Sequence, residues 1–129
     1  MKSPALLILV FLLAFCLASC EDPVVIEPLG CQLQSIQRQL TSDSITVVYK
    51  LEKSGDATIN AWSYISPSGE TTINNPDSPA EVSFVFYGQA NPQVKAGVVV
   101  NEGFVKVSYT AKTTDSTYTG IDQCIQEIN

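Results

Sequence analysis

Residues 44–66 read SITVVYKLEKSGDATINAWSYIS, and this stretch decides the fold. Its first part alternates apolar with mostly polar residues, which is the pattern of a strand with one buried face. Ser54-Gly55-Asp56 then predicts a tight hairpin, because glycine adopts positive φ without steric cost. Thr58 to Ser66 is rich in β-branched and aromatic residues and predicts the partner strand.

Similar alternation continues to the end of the chain. Asn101-Glu102-Gly103 is a second hairpin signal, and residues 74–79 read as a proline-rich loop. Residues 32–40 have helical spacing of their apolar members but lack a good cap, so a strand is favoured there. Further strands are predicted at 71–74, 82–87, 94–100, 105–111 and 118–125. The chain is therefore predicted to be all-β, an antiparallel immunoglobulin-like β-sandwich of about seven or eight strands.

The alternation also predicts which side chains are buried. The apolar members of the runs should face the core, because a slip of one residue would turn each set into water. This predicted core comprises Ile45, Val47, Tyr49, Leu51, Phe84, Phe86, Val98, Val105 and Val107. The opposite, solvated faces are predicted to carry Thr46, Lys50, Glu52, Lys106 and Ser108.

The N-terminus has the composition of a secretory signal. Lys2 precedes an apolar run from Ala5 to Leu17, followed by small residues. Leu17-Ala18-Ser19-Cys20 resembles the lipobox of bacterial lipoproteins, which implies cleavage before Cys20 and acylation of its sulfur. The run of roughly 13 residues is short for a transmembrane helix, which needs about 20. An ordinary cleaved signal, with Cys20 left as a free or bridged thiol, is the other alternative.

This resemblance divides the chain into a signal peptide at 1–19, a lipidated tether at 20–30 and a β-sandwich domain at 31–129. It implies a bacterial cell-envelope protein whose lipid anchor holds it on a membrane, expected to be the outer membrane. Glu21-Asp22 resembles the signal that exports some Bacteroidota lipoproteins, so either the periplasmic face or the cell surface is expected. The mature chain would carry six basic and thirteen acidic residues, a net charge of −7. Such a charge argues against nucleic acid as a partner.

The cysteines reduce to one possible pair. Cys16 would leave with the signal and Cys20 would carry lipid, which leaves Cys31 and Cys124 near the ends of the domain. An exported compartment permits disulfides, so a Cys31–Cys124 bond is predicted. Two buried free thiols are the alternative.

The middle of the chain resembles a family of small membrane-anchored bacterial β-sandwich proteins. The matching segments are Val48-Tyr49-Lys50, Asp56-Ala57-Thr58-Ile59, Tyr64 with Pro67-Ser68-Gly69, and Phe104-Val105-Lys106-Val107. They resemble the strand pattern of MmpS proteins, the accessory subunits of mycobacterial lipid exporters, and of similar Bacteroidota lipoproteins. This resemblance implies a non-catalytic accessory role. In contrast to the helical anchor of the mycobacterial proteins, the anchor expected here is lipid.

Residues suited to catalysis are scarce. The chain contains no histidine, so it lacks the usual general base and the commonest zinc ligand. No phosphate-binding or dinucleotide motif is present, so neither a cofactor nor an enzymatic activity is expected. Asn74, Asn75 and Asp77 offer oxygens to calcium, but that ion takes six to eight ligands. A proline-rich turn is the favoured interpretation, and no metal site is expected.

Three aromatic residues are the remaining candidates for a binding site. Trp62, Tyr64 and Tyr87 would form a platform for a glycan or apolar ligand if their rings were exposed, although aromatic stripes on strands more often pack in the core. Two hypotheses follow. The first is a non-catalytic, lipid-anchored module that assists or stabilises an envelope protein complex. The second is a ligand-binding lipoprotein that uses these aromatics, and the exposure of Trp62 discriminates between them.

Overall fold

The computed structural model describes residues 26–127, and every regular element among them is a β-strand. The strands are β1 (Leu29–Gln34), β2 (Leu40–Ser66), β3 (Gly69–Asn74), β4 (Ala80–Ala90), β5 (Val94–Lys112) and β6 (Thr117–Gln126). No helix long and apolar enough to cross a membrane occurs in this part of the chain. The predicted signal peptide and Cys20 lie outside the described residues. The all-β prediction is confirmed.

All six strands belong to one antiparallel sheet built around β2 and β5. One edge of β5 pairs with β2, and its other edge pairs first with β1 and then with β6. The free edge of β2 pairs with β4 along its first part and with β3 along its last part. Each long strand therefore has three neighbours, which is possible only because it is long enough to serve two of them in succession.

The two predicted hairpins are wrong. Ser54-Gly55-Asp56 lies inside β2 and Asn101-Glu102-Gly103 lies inside β5, because β2 runs for 27 residues and β5 for 19. The two glycine signals face each other across the ladder, with Gly55 opposite Gly103. Positive φ at these glycines redirects continuous strands instead of ending them, so the described residues form six strands where seven or eight were predicted.

The sheet folds back on itself at this point. Tyr49 and Tyr64 belong to the same strand, and fifteen extended residues would separate them by about 50 Å. Their ring centroids are 5.4 Å apart, and the Tyr49 hydroxyl donates a hydrogen bond of 2.7 Å to the carbonyl of Ile65. The strand must therefore bend sharply between them.

The bend divides the sheet into two halves. The half that we call the first half-sheet comprises β4, residues 40–54 of β2, residues 103–112 of β5, and β6. The second half-sheet is the set of β3, residues 57–66 of β2, residues 94–100 of β5, and β1. The aromatic contacts of Tyr49 with Tyr64 cross from one half-sheet to the other, so the core lies between their inner faces.

Glycine is required at the bend in both strands, β2 and β5. Gly55 has a φ of 81° and Gly103 a φ of 98°, values that disfavour any residue with a Cβ. A Cβ on Gly55 would collide with the backbone oxygen of Glu102, and one on Gly103 would collide with that of Ser54. The two backbones approach too closely for any side chain to lie between them.

A second irregularity changes which residues of β2 face the core. In a regular strand, alternation would place Ile59 on one face, and Trp62 and Tyr64 on the other. The structure buries all three, because the ladder shifts at Asn60, which has no partner in β5. One unpaired residue reverses the alternation, so both apolar sets point inward.

The predicted core is confirmed at every position but one. All the named residues are buried except Phe84, which is half-buried on β4 and packs against the rings of Tyr49 and Tyr64. Lys50 is exposed, and the other residues predicted on the solvated faces are half-buried. Phe84 differs because no described strand lies beyond β4 to cover it.

The bend can be tested by substituting alanine for Gly55. We expect Gly55→Ala to lower the free energy of unfolding by at least about 2 kcal/mol more than Gly88→Ala. Gly88 has a nearly identical φ of 83°, but a Cβ there meets nothing within 4 Å. The pair therefore separates the close backbone approach from the cost of positive φ. Denaturant unfolding measures both, and equal losses would show that the approach of the two strands is not what demands glycine.

Candidate functional site

The three aromatic residues predicted as a platform do not come together at the surface. The side chain of Trp62 is 1% exposed and that of Tyr64 is 6% exposed, whereas Tyr87 is 80% exposed. Trp62 and Tyr64 pack edge to face on the inner side of the second half-sheet, with ring centroids 4.9 Å apart. Tyr87 lies on the outer face of β4. The three residues therefore do not form the predicted platform, because the bulge at Asn60 turns Trp62 and Tyr64 into the core.

Two shallow depressions on the surface also lack these rings. The larger, of about 320 Å³, lies over small residues on the outer face of the second half-sheet. Its lining comprises Gln32, Asn60, Ala61, Ser63, Lys95, Ala96 and Gly97. The other, of about 240 Å³, lies beside the start of β4. Neither is lined by an aromatic side chain, so neither provides the stacking surface on which a glycan site was predicted.

The Cys31–Cys124 disulfide is confirmed. It joins β1 to β6, the first and last strands, with their Cα atoms 6.2 Å apart. The two strands share no ladder, and each is instead a neighbour of β5 on a different half-sheet. Two polar contacts lie beside this bond. The backbone N–H of Gln34 donates to Asp122 Oδ2 at 2.9 Å, and Gln126 Nε2 donates to the backbone carbonyl of Glu27 at 2.8 Å. These bonds join the half-sheets along this side, which we call the β1/β6 seam.

The chain crosses from one half-sheet to the other through residues 35–39, which we call the crossing loop. Its first residue is firmly held. Ser35 is buried; its amide donates to the Val94 carbonyl at 2.9 Å, and its hydroxyl oxygen accepts from the Val94 amide at 3.0 Å. Gln93, also buried, donates from Nε2 to the Ser35 carbonyl at 3.3 Å. These hydrogen bonds satisfy the buried polar groups of Ser35 and Gln93. They also fix the path of the loop.

The rest of the crossing loop is tied to the first half-sheet. The Tyr109 hydroxyl donates to the Ile36 carbonyl at 2.9 Å, and the Arg38 guanidinium lies 5.6 Å from the ring centre of Tyr118, within range of a cation–π contact. Yet the Ile36 side chain is 67% exposed. The loop thus presents a large apolar side chain on a backbone that both half-sheets hold in place.

The position of the Tyr109 ring explains how it reaches the loop. Gly120 of β6 is its partner in the ladder, and a Cβ there would collide with the ring. The absence of a side chain lets the ring lie over β6 with its hydroxyl directed to Ile36. Burial raises the pKa of Tyr109, and the charge of Arg38 acts in the opposite direction. Burial also raises the pKa of Tyr49.

The crossing loop lies at the end of the domain remote from the bend. Leu29, where β1 begins, pairs with Val100 beside the bend, whereas Gln34 pairs with Lys95 at the far end of the ladder. The chain therefore enters β1 at the bent end, and Ile36 is displayed at the opposite end. Sequence reasoning missed this site. Its one signal was an isoleucine in the polar run Ser35-Ile36-Gln37-Arg38-Gln39, which was read as one face of a short strand or helix.

The loop considered for calcium is held by a backbone hydrogen bond to β2. Asn74 ends β3, and Asn75 adopts a φ of 49° and donates its amide to the Asn60 carbonyl at 2.9 Å. Within residues 26–127, no group of three or more His, Cys, Asp or Glu side chains is arranged to hold a metal ion. Asn74 and Asn75 thus serve the connection from β3 to β4.

Comparison with known proteins adds no relative. A scan against protein-family models, a search of curated proteins and a search of solved structures each found no match to this chain.

Reduction of the disulfide should destabilise the domain. The bond closes a loop with a sequence separation of 93 residues, which corresponds to about 4–5 kcal/mol in the chain-entropy model. We expect reductant to lower the midpoint of denaturant unfolding, and the Cys31→Ser/Cys124→Ser double variant to match the reduced protein without responding to reductant itself. Two reactive thiols in the denatured, unreduced protein would contradict the bond.

The two buried tyrosines predict loss of stability in alkali. Because the pKa of Tyr49 and of Tyr109 is raised in the folded state, stability is fully present below the unfolded value of about 10 and falls as the pH rises above it. Tyr109→Phe should cost about 1 kcal/mol at neutral pH through the lost hydrogen bond to Ile36. It should also weaken the alkaline loss, and exposed Tyr87→Phe should leave the stability at neutral pH unchanged. Unfolding midpoints measured from pH 7 to pH 11 test this, and an alkaline loss unchanged in Tyr109→Phe would contradict it.

Proposed function

We propose that this protein is a non-catalytic, lipid-anchored module of the bacterial cell envelope that assists or stabilises an envelope protein complex. One observation carries the proposal: the crossing loop displays Ile36 on a fixed backbone at the end of the domain opposite the entry of the tether. If Ile36 were exposed only by chance, its loop would not need side chains that hold the backbone in place. Here a buried serine, a buried glutamine and a tyrosine hydroxyl all serve to hold the loop.

Such a loop suits protein recognition. Association costs less when the contact residues are already ordered, because fewer rotamers and backbone angles are lost on binding. Ile36 offers an apolar anchor, and Arg38 beside it belongs to a residue type that is enriched at the energetic centres of interfaces. The expected partner is a protein with an apolar pocket at its surface.

The anchor remains the proposal made from Leu17-Ala18-Ser19-Cys20. Lipidation at Cys20 would place the protein on a membrane, expected to be the outer membrane, at its periplasmic face or the cell surface. The nine residue-to-residue steps from Cys20 to Leu29 span at most about 30 Å, so the bent end would stay near the lipid. A mature net charge of −7 favours a protein partner over nucleic acid. The resemblance to MmpS accessory proteins supports the same kind of role.

We also infer that the two half-sheets form an immunoglobulin-like β-sandwich. The inner faces share one core, and dividing each long strand at the bend yields eight strand segments, four in each layer. The ligand-binding hypothesis has lost its main support, because Trp62 and Tyr64 are buried.

The proposal predicts a loss of partners on substitution of Ile36. We expect full-length wild-type protein, extracted from membranes by affinity isolation, to bring a defined set of envelope proteins with it. Ile36→Asp should lose at least tenfold of that recovery, and Ile121→Asp should retain it. Ile121 is the matched control, because its side chain is 59% exposed but lies on β6. Partner recovery that is equal in the two variants would contradict docking at the crossing loop.

The anchor is tested separately in the same preparation. Cys20→Ala protein should leave the membrane fraction, and intact mass measurement of the wild type should show an acylated Cys20 at the mature N-terminus. A Cys20→Ala variant that stays on the membrane, or an unmodified Cys20, would contradict lipidation.

A further inference from the structure

The outer edge of β4 lacks the usual protection of a sheet edge. β4 spans eleven residues and pairs only with β2 among the described strands. Residues 82–87, VSFVFY, are uncharged, contain no proline and strongly favour β-structure. Natural edges are commonly short, charged, bulged or covered, and Glu81 is the one charged residue of β4. The bulge in this ladder belongs to β2, where Asp43 has no partner.

The other edges are managed differently. β1 and β6 are closed against each other along the β1/β6 seam by the disulfide and the two polar contacts described above. β3 has only six residues, one of which is charged. A long, apolar, unprotected edge therefore stands out at β4.

Side chains on both faces of β4 are incompletely covered. Phe84 and Val82 face the core yet remain half-buried, because nothing described lies beyond β4. On the outer face, Val85 is 45% exposed and Tyr87 80% exposed. One further strand beside β4 would cover both sets and satisfy the unpaired backbone groups of the edge.

We propose that this strand is β4 of a second copy of the chain, paired antiparallel about a two-fold axis at Val85. Val85 is the midpoint of Ala80–Ala90, so all eleven residues overlap. In this register Val85 faces its own copy, Phe84 faces Phe86, and Glu81 faces Gln89. Antiparallel partners share a face, so the inward-facing phenylalanines extend the core and the outward-facing valines meet at the surface.

Charge and symmetry select this occupant. The single carboxylate of β4 meets an amide, so pairing the strand with itself places no like charges opposite each other. An isologous contact also closes after two copies, and the strands of residues 26–127 offer one such edge. A two-fold axis normal to the membrane would place both Cys20 residues on one leaflet, which is compatible with the anchor. The inference does not rest on the proposed function, since the crossing loop stays free in the pair.

Disulfide trapping in cells expressing the full-length chain tests the pairing. Val85→Cys places identical thiols at the two-fold axis, so mild oxidation should yield a product of twice the monomer mass on non-reducing electrophoresis. Ile121→Cys is the control, because Ile121 lies on the outer face of the same half-sheet but on β6. We expect at least tenfold more dimer from Val85→Cys than from Ile121→Cys or from wild type, which reports any contribution of Cys20.

A second pair of variants tests the contact without a crosslink. Val85→Lys places two ammonium groups opposite each other at the axis, whereas Ile121→Lys adds the same charge to β6. In sedimentation of the full-length protein in detergent, wild type and Ile121→Lys should be dimeric and Val85→Lys monomeric. Monomeric wild type, equal trapping at both cysteines, a ladder of higher oligomers, or a Val85→Cys adduct to another protein would each overturn the proposal.

Discussion

The close approach of Gly55 to Gly103 is the constraint on which the rest of the structure depends. The backbones of β2 and β5 pair at this level without room for a side chain between them. Both strands therefore turn together and continue as a pair. The bend brings Tyr49 over Tyr64, although they are fifteen residues apart on the same strand. Without it, the inner faces of the two half-sheets would be separate apolar surfaces in water, and no core would form.

The remaining features close the structure that the bend begins. The β1/β6 seam is locked by a covalent bond between strands that share no ladder. The crossing loop joins the half-sheets at the end remote from the bend, and buried Ser35 and Gln93 hold its backbone to the second half-sheet. Among the described strands the opposite side has no such closure, because β4 pairs only with β2 and ends the first half-sheet. The two proposed contact surfaces thus lie at different places, the loop at one end and β4 along one side.

The site was far less predictable from sequence than the core. Side-chain alternation identifies buried residues such as Ile45 and Val107, since burial follows the period of the strand. The exposure of Trp62 depends on the bulge at Asn60, which the local pattern does not reveal. The role proposed for Ile36 depends on the hydrogen bonds between Ser35 and Val94, and those residues are 59 positions apart. Contacts of that range require the fold before they can be recognised.

The sequence by itself determined the all-β class and the faces of the regular strands, because these follow from local periodicity. The lipobox resemblance then left Cys31 and Cys124 as the predicted pair, which the structure joins. Whether Gly55 and Gly103 would end two hairpins or bend two continuous strands was decided only by the tertiary structure. A glycine with positive φ serves either outcome, and the choice depends on which distant backbone lies opposite it. The same holds for Trp62 and for β4: burial of the ring and exposure of the edge are properties of neighbouring strands, which no local pattern contains.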